Sequence, residues 1–299
     1  MKSRRVSRLF WVFPAALGCG FGCPPPGPDP INDSSPPNMP PRELREIVET
    51  IDFNASLLDR VLSSGNVQVT AHFTDENDRK HTYNLNGRLF FQKPRNFRLD
   101  LSPSLGEQVM QIGSNEEDYW LWVEPELNQM WWGRHRHGGK PCVDKMMIRP
   151  DQLISTLGVS GLPKASEFLL GPARKHGKNH DILYYTRLQA DGKFLLEREY
   201  WVSRSYPYQI VGFKTRDRFG RVSMSALIDD YWPVWEAGPM IPREISIIWP
   251  LDGGSFTMKM KSLRGFPEVK SGSFDRPTRD RLPGSVGDNI LQIDADCDR

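Results

Sequence analysis

The stretch YNLNGRLFFQKPRNFRLDL, residues 83–101, decides the fold class of this chain. Apolar and polar side chains alternate along it, which is typical of β-strands with one buried face. The Lys93-Pro94 step interrupts the alternation, because proline cannot donate a hydrogen bond to a strand ladder. The apolar positions are Tyr83, Leu85, Gly87, Leu89 and Phe91 before the break, and Phe97, Leu99 and Leu101 after it. This pattern predicts two consecutive strands with a short connection, which pair antiparallel.

The same period of two extends outward in both directions. It is present in residues 67–73 and recurs in three further segments of residues 108–134. It resumes between residues 182 and 261, where Asp191-Gly192 is a strong signal for a hairpin turn. About ten strands are predicted in all, and an antiparallel sheet of that size tends to curl into a barrel or half-barrel.

Helical patterns frame the strands. Residues 42–64 carry apolar side chains at spacings of three and four, which predicts one long amphipathic helix ending at Gly65. A second, short helix is predicted over residues 149–157. The predicted fold class is α+β, mainly β: an incomplete antiparallel β-barrel of about ten strands wrapped over a long N-terminal helix.

The N-terminal segment has the pattern of a secretory signal peptide, residues 1–18. Its apolar run is far shorter than the ~20 residues that a spanning helix needs. The sequence Ala-Leu-Gly-Cys ending at Cys19 resembles the lipobox of bacterial lipoproteins, in which the cysteine is acylated. Cys23 is a second candidate, and a plain signal peptide is the alternative. Nine prolines in residues 19–41 predict an extended tether that cannot bury a core.

Charge and composition narrow the function classes. The 299 residues include 39 Lys+Arg and 37 Asp+Glu, a net charge of +2. Cleavage before Cys19 would remove four basic residues and no acidic one, leaving 35 against 37. A nucleic-acid-binding protein would show a large positive excess, so no nucleic-acid partner is predicted. The four cysteines are too few for a disulfide-dense scaffold, although Cys142 and Cys297 could pair after export.

Two aromatic strands carry apolar side chains on both faces. Trp120 and Trp122 share one face, whereas Tyr119, Leu121 and Val123 share the other. A sheet with one wet face should not have this pattern. Either other elements cover both faces as plain core, or one face lines an aromatic cavity.

Residues 42–135 resemble the LolA/LolB-type lipoprotein carriers in the order of their elements. The likeness rests on the strand, Lys-Pro and aromatic sequence of residues 87–98, and on the strand pair 108–113 and 119–122. That family has an incomplete antiparallel barrel closed by helices around a hydrophobic cavity for acyl chains. The chain departs from it in its greater length, its generic second half and its own lipobox.

The resemblance implies a ligand cavity, and it favours a cavity-lining role for the residues Phe91, Trp120, Trp122 and Trp132. The basic residues Lys93, Arg95 and Arg98 could meet a lipid headgroup, or could form a solvated strand edge. Gly20 after Cys19 is not the Asp that retains lipoproteins at the inner membrane in some bacteria, so an outer-membrane location is weakly favoured.

Catalytic chemistry is not predicted. Nucleophile-elbow, phosphate-loop and HExxH motifs are missing from the sequence. The pairs His135/His137 and His176/His180 could serve zinc, but the neighbouring glycines favour solvated loops. We therefore expect no enzyme activity, no cofactor and no metal.

The sequence thus predicts four segments: a signal peptide over 1–18, a lipobox cysteine and tether over 19–41, a half-barrel over 42–268, and a loosely ordered polar tail over 269–299. The predicted function is a membrane-anchored periplasmic lipoprotein that binds acyl chains or lipoproteins as a carrier, receptor or sensor. The alternative is a structural or protein-interaction lipoprotein with a filled core.

Overall fold

The computed structural model describes residues 42–74, 79–104, 106–138, 146, 148–163, 170–176, 179–189 and 192–297. The predicted signal peptide, Cys19, Cys23 and the tether lie outside these residues. The described helices are α1 (Leu44–Ser56), α2 (Pro150–Thr156) and α3 (Gly284–Gly287). The described strands are β1 (Val61–Thr74), β2 (Lys80–Gln92), β3 (Asn96–Ser102), β4 (Met110–Ser114), β5 (Asp118–Val123), β6 (Gln129–Arg134), β7 (Leu170–His176), β8 (His180–Leu188), β9 (Phe194–Ser203), β10 (Ile210–Arg216), β11 (Val222–Pro233), β12 (Met240–Trp249), β13 (Gly254–Met260), β14 (Leu263–Phe266) and β15 (Ile290–Gln292).

The strands of the described residues form one open sheet. Their order is β15-β6-β5-β4-β3-β2-β1-β13-β12-β11-β10-β9-β8-β7, and β14 pairs with the start of β1. Every pairing is antiparallel except that of β15 with β6, which is parallel. The two ends of this order do not pair, so the sheet stays unclosed, as expected of a half-barrel. The described sheet has fifteen strands, more than the predicted ten or so.

The N-terminal helix is shorter than predicted. The structure ends α1 at Ser56 and starts β1 at Val61, within the predicted range 42–64. Val61 and Leu62 continue the helical spacing, yet they are buried as the first residues of a strand. Gly65, interpreted from sequence as a helix end, lies instead where the pairing of β1 with β2 shifts at a β-bulge.

Alternating side chains divide the apolar residues between two cores. We call the face that carries the main core the inner face; its fully buried members include Leu89, Phe91, Leu99 and Ile112. Ile47 and Ile51 of α1 belong to the same core. The opposite face of β4–β6 carries a smaller cluster, which we call the outer cluster. Its residues are Trp120, Trp122, Met130, Leu282 and Val286, with Trp132 packed against it.

The C-terminal segment has defined structure instead of the loose tail that was expected. Leu282 and Val286 cover the outer cluster, and β15 adds a parallel strand beside β6. Asp294 is buried and accepts a hydrogen bond from the backbone N–H of Arg134 at 3.0 Å. The polar, Pro/Gly-rich composition of residues 269–299 predicted a loosely ordered segment. A three-residue strand such as β15 is too short to show a period of two in the sequence, so it could not be recognised.

Candidate functional site

The four predicted cavity-lining residues do not share a surface. Phe91 is fully buried in the core of the inner face, whereas Trp120, Trp122 and Trp132 belong to the outer cluster. A single cavity cannot be lined by both sets, because the sheet lies between them. The expected aromatic lining is therefore replaced by two separate packing regions.

The outer cluster is built as structure and is closed by the C-terminal segment. The indole N–H of Trp120 donates to Gln111 Oε1 at 2.9 Å, so its buried polar atom is satisfied. A Cβ on Gly113 would lie 2.1 Å from the Trp120 ring, so glycine is what lets the indole lie across β4. The guanidinium of Arg276 stacks 3.7 Å above the centroid of the Trp132 ring. These contacts pack the Trp120 ring against β4 and cover the Trp132 ring.

The three predicted headgroup contacts are likewise separated. Lys93 Nζ donates to the carbonyl oxygen of Ala55, near the end of α1, at 2.6 Å. Desolvation lowers the pKa of Lys93, and the nearby Asp59 opposes that effect. Arg98 pairs with Asp100 at 2.9 Å, whereas Arg95 is exposed. Lys93 and Arg98 thus hold parts of the fold together and do not form a common cationic surface with Arg95.

The inner face has a cover that sequence reasoning did not single out. Residues 148–163, which we call the cover segment, comprise α2 and the loops on either side. Its apolar side chains are buried in the same core as the inner face; they are Ile148, Leu153, Ile154, Leu157, Val159 and Leu162. The sequence did predict a short helix over 149–157, but it did not indicate that this helix packs on the inner face of the sheet.

Polar contacts fix the cover segment at both ends of α2. Trp249 Nε1, at the end of β12, donates to Gln152 Oε1 at 2.8 Å. Beyond the helix, the backbone N–H of Leu162 donates to Asp52 Oδ1 of α1 at 3.0 Å. Gly161 has a φ of +66°, and a Cβ there would approach Asp52 Oδ1 to 2.7 Å. The glycine therefore lets the loop come close enough to the carboxylate to make this bond.

A small cavity lies where the cover segment begins. It has a volume of about 20 Å³. Its lining residues are His72, Phe73, Thr74, Ile148, Trp249, Asp252 and Gly254. A buried water needs roughly 10–15 Å³ on this measure, so the cavity has room for about one water molecule. A larger cleft of about 420 Å³ lies between residues 115–117 and 269–275, and polar side chains dominate its lining.

Of the histidines considered for zinc, His135 and His137 directly follow β6, whereas His176 ends β7 and His180 begins β8. In the described ranges, no group of three or more His, Cys, Asp or Glu side chains is arranged to hold a metal ion. His137 Nδ1 lies 2.6 Å from Asp294 Oδ2, and both side chains are buried. Cys297 is disulfide-bonded, and the other three cysteines, Cys142 included, lie outside the described residues.

Asp294 is held ionised by its surroundings. Burial alone would raise the pKa of this carboxyl, but hydrogen bonds from Gln292, His137 and the backbone of Arg134 outweigh it and hold the pKa below its usual range. The other predicted histidine, His135, contacts Ser114 Oγ at 3.0 Å, and burial lowers its pKa. The contacts of Asp294 with Arg134 and His137 hold the end of β6 to the C-terminal segment, whereas His135 contacts β4.

Comparison with known proteins gives structural matches only. No protein-family model and no curated protein matches the chain. A LolA superfamily protein from Nitrosomonas europaea matches at 13% identity and a TM-score of 0.47, over 81% of this chain and all of the other. The superfamily named for that structure is the one that residues 87–98, 108–113 and 119–122 were predicted to resemble.

Two further solved structures match. A domain of an outer membrane lipoprotein-sorting protein from Vibrio parahaemolyticus has a TM-score of 0.45 at 10% identity, over 78% of this chain and 97% of the other. A DUF1329 family protein from Desulfovibrio piger has a TM-score of 0.48 at 12% identity, with the same coverage of both chains. At these identities the likeness to the three solved structures concerns the fold alone. In the part of the chain described, no helix has the length and hydrophobicity to span a membrane.

Proposed function

We propose that this protein is a membrane-anchored periplasmic lipoprotein that binds acyl chains, free or carried by a lipoprotein, against the inner face of its sheet. The observation that carries the proposal is the cover segment. A sheet with an apolar inner face is closed there by a seven-residue helix and its loops instead of a second sheet. The resemblance of residues 42–135 to LolA/LolB-type carriers supports the same function.

Binding requires the cover segment to move. The cavity beside Ile148 has room for about one water molecule. In the described part of the inner face, an acyl chain would therefore take the space where Leu153, Leu157 and their neighbours now pack. An acyl chain would replace the apolar contacts of the cover segment with its own. Each methylene that it buries contributes about 0.8 kcal/mol, so a long chain can offset the lost packing. The mechanism has no covalent step, and we propose no enzymatic activity.

The proposed location rests on the sequence. A signal peptide over residues 1–18 would export the chain, and acylation of Cys19 would anchor it on the periplasmic side of a membrane. Residues 19–41, extended as a proline-rich tether, would reach about 70 Å at ~3.1 Å per residue. Gly20 at the position after the acylated cysteine makes the outer membrane the proposed destination.

The anchoring proposal has its own test. Cys19→Ser should abolish incorporation of labelled fatty acid and release the protein from the membrane fraction. Cys23→Ser is the matched control and should leave acylation unchanged. Acylation that persists in Cys19→Ser and disappears in Cys23→Ser would move the anchor to Cys23.

The binding proposal is tested by titrating the purified, unacylated Cys19→Ser chain with a fluorescent fatty acid. We expect saturable binding at one site and displacement by unlabelled palmitate. Trp122→Phe on the outer cluster is the control, and it should bind equally well because it lies on the other face of the sheet. Absence of binding would overturn the proposal.

A second candidate function is a structural or protein-interaction lipoprotein with a filled core. It is favoured by the packing of the inner face, where Leu89, Phe91, Leu99 and Ile112 have no exposed surface. On that alternative the cover segment is permanent core. The fatty-acid titration separates the two functions, since a permanently filled core binds nothing.

A further inference from the structure

Two neighbouring hairpins end in exposed apolar side chains. The turn between β8 and β9 presents Leu188 and Phe194, which are 40% and 57% exposed. The turn between β10 and β11 presents Phe219, which is 67% exposed. We call residues 187–189, 192–195 and 216–221 together the hairpin tips. Three large apolar side chains on adjacent turns are unlike scattered surface residues and indicate a contact surface.

The hairpin tips are joined to each other and are preformed. Gln189 Nε2 of one turn donates to the carbonyl oxygen of Arg218 in the other at 3.2 Å. Within the second turn, Asp217 Oδ1 accepts the backbone N–H groups of Phe219 and Arg221, each at 2.9 Å. Gly220 supplies the φ of +79° that this turn requires. The exposed phenyl ring of Phe219 is therefore presented on a hydrogen-bonded turn.

Basic side chains lie around the exposed apolar side chains of the hairpin tips. The guanidinium groups of Arg218 and Arg221 lie 4.8 and 5.3 Å from the centroid of the Phe219 ring. Residues 187–199 and 214–221 contain seven basic and four acidic residues, an excess of three positive charges. Without residues 1–18, the whole chain has an excess of two negative charges. The positive charge is thus concentrated around the exposed rings.

The opposite ends of these strands differ in charge. Exposed aromatic residues occur there too, namely Phe53, Tyr206 and Trp232. The guanidinium of Arg243 lies 4.4 Å from the centroid of the Trp232 ring. Residues 42–60, 203–209 and 229–243, which form this end, nevertheless contain eight acidic and five basic residues, an excess of three negative charges. An anionic surface would be repelled there and attracted at the hairpin tips.

We propose that the hairpin tips bind the surface of a bilayer containing anionic phospholipids. Leu188, Phe194 and Phe219 would enter the boundary between headgroups and acyl chains, while Arg218 and Arg221 contact the phosphates. This contact is separate from the acylated cysteine and from acyl-chain binding at the inner face. It would orient the sheet on the membrane, with the far end of the long hairpins directed away from it.

The test uses residues 19–299 with Cys19→Ser and Cys23→Ser, so that neither the signal peptide nor a lipid anchor contributes. Its co-sedimentation is measured with vesicles of phosphatidylcholine alone and of phosphatidylcholine mixed with phosphatidylglycerol. We expect binding to the mixed vesicles that weakens as salt is added, because the Debye length shortens. Phe194→Ser with Phe219→Ser should weaken binding by roughly tenfold or more, from the apolar area lost. Arg218→Glu should weaken it by more than about fivefold, since it reverses a charge.

Tyr206→Ser is the matched control, because it removes an exposed aromatic side chain at the other end of β9. Vesicle binding should be unchanged in that variant. Equal loss in Tyr206→Ser, equal binding to neutral vesicles, or no vesicle binding at all would overturn the proposal. The proposal would also be overturned if the protein bound no vesicles but formed a dimer in sedimentation velocity, and the Phe194→Ser, Phe219→Ser variant abolished that dimer. That result would assign the hairpin tips to a protein interface.

Discussion

Replacing Asp52 with alanine should tighten acyl-chain binding. In the protein, Asp52 Oδ1 accepts the backbone N–H of Leu162 and so holds the loop that follows α2 in the cover segment. Asp52→Ala removes this acceptor and touches none of the apolar residues of the inner face. If the acyl chain takes the space of the cover segment, a change that weakens only the closed position favours binding.

The magnitude follows from the exposure of the carboxylate. A hydrogen bond to a charged group contributes about 1.5–3 kcal/mol when it is well shielded. Asp52 is exposed on α1, so water competes for it and we take about 1 kcal/mol. A difference of about 1 kcal/mol raises the fraction of molecules in which the cover segment has moved off the inner face about fivefold. The apparent Kd of a ligand that binds only those molecules falls by the same factor.

The assay is the fluorescent fatty-acid titration, with urea denaturation in parallel to measure the free energy of unfolding. Glu49→Ala on the same helix is the control, since Glu49 is exposed and pairs only loosely with Arg45 at 3.5 Å. It should change neither quantity appreciably. If Asp52→Ala loses about 1 kcal/mol of stability but its affinity for the fatty acid is unchanged or weaker, the acyl chain does not compete with the cover segment.

Three further predictions concern stability. Trp122→Ala should lower the free energy of unfolding by about 3–5 kcal/mol in urea denaturation, while the folded fraction keeps its fatty-acid affinity. The pKa of Asp294 is lower in the folded than in the unfolded protein, so its contribution to stability is present above about pH 4 and is lost as pH falls through the folded pKa. Asp294→Asn should therefore reduce the loss of stability at acidic pH, measured by thermal unfolding over a series of pH values. At neutral pH the same variant should be less stable, because its contact with His137 is weaker. Arg204→Met should destabilise the protein by about 3–5 kcal/mol, because it leaves the buried carboxylate of Asp181 without the partner 2.9 Å away. Adding Asp181→Leu to Arg204→Met should recover much of that loss in the same assay.

Local alternation in the sequence was enough to predict the antiparallel strands and the two faces of β5. The structure places Tyr119 and Leu121 on the inner face and Trp120 on the outer, as the period of two requires. What covers the outer face could not be predicted. Leu282 and Val286 are isolated apolar residues in a Pro/Gly-rich segment, and their contact with Trp120 spans more than half the chain.

The end of the N-terminal helix and the role of the basic residues could not be predicted for a related reason. Val61 and Leu62 satisfy both a helical spacing and the start of a strand, and only pairing with β2 and β14 decides between them. Lys93 carries the positive charge that a headgroup contact needs, but its Nζ donates a hydrogen bond to the carbonyl oxygen of Ala55, a residue distant in sequence. Periodicity reports which residues are buried, whereas the partner of a polar group depends on long-range geometry.

Labelling with a photoactivatable fatty acid would locate the bound acyl chain on the protein. The purified chain is irradiated with the bound probe, and the modified peptides are identified by mass spectrometry. The account predicts labels on the cover segment, at Leu153 or Leu157, and on inner-face residues such as Leu121. Labels confined to the outer cluster or the hairpin tips, or no specific label at all, would contradict acyl-chain binding at the inner face.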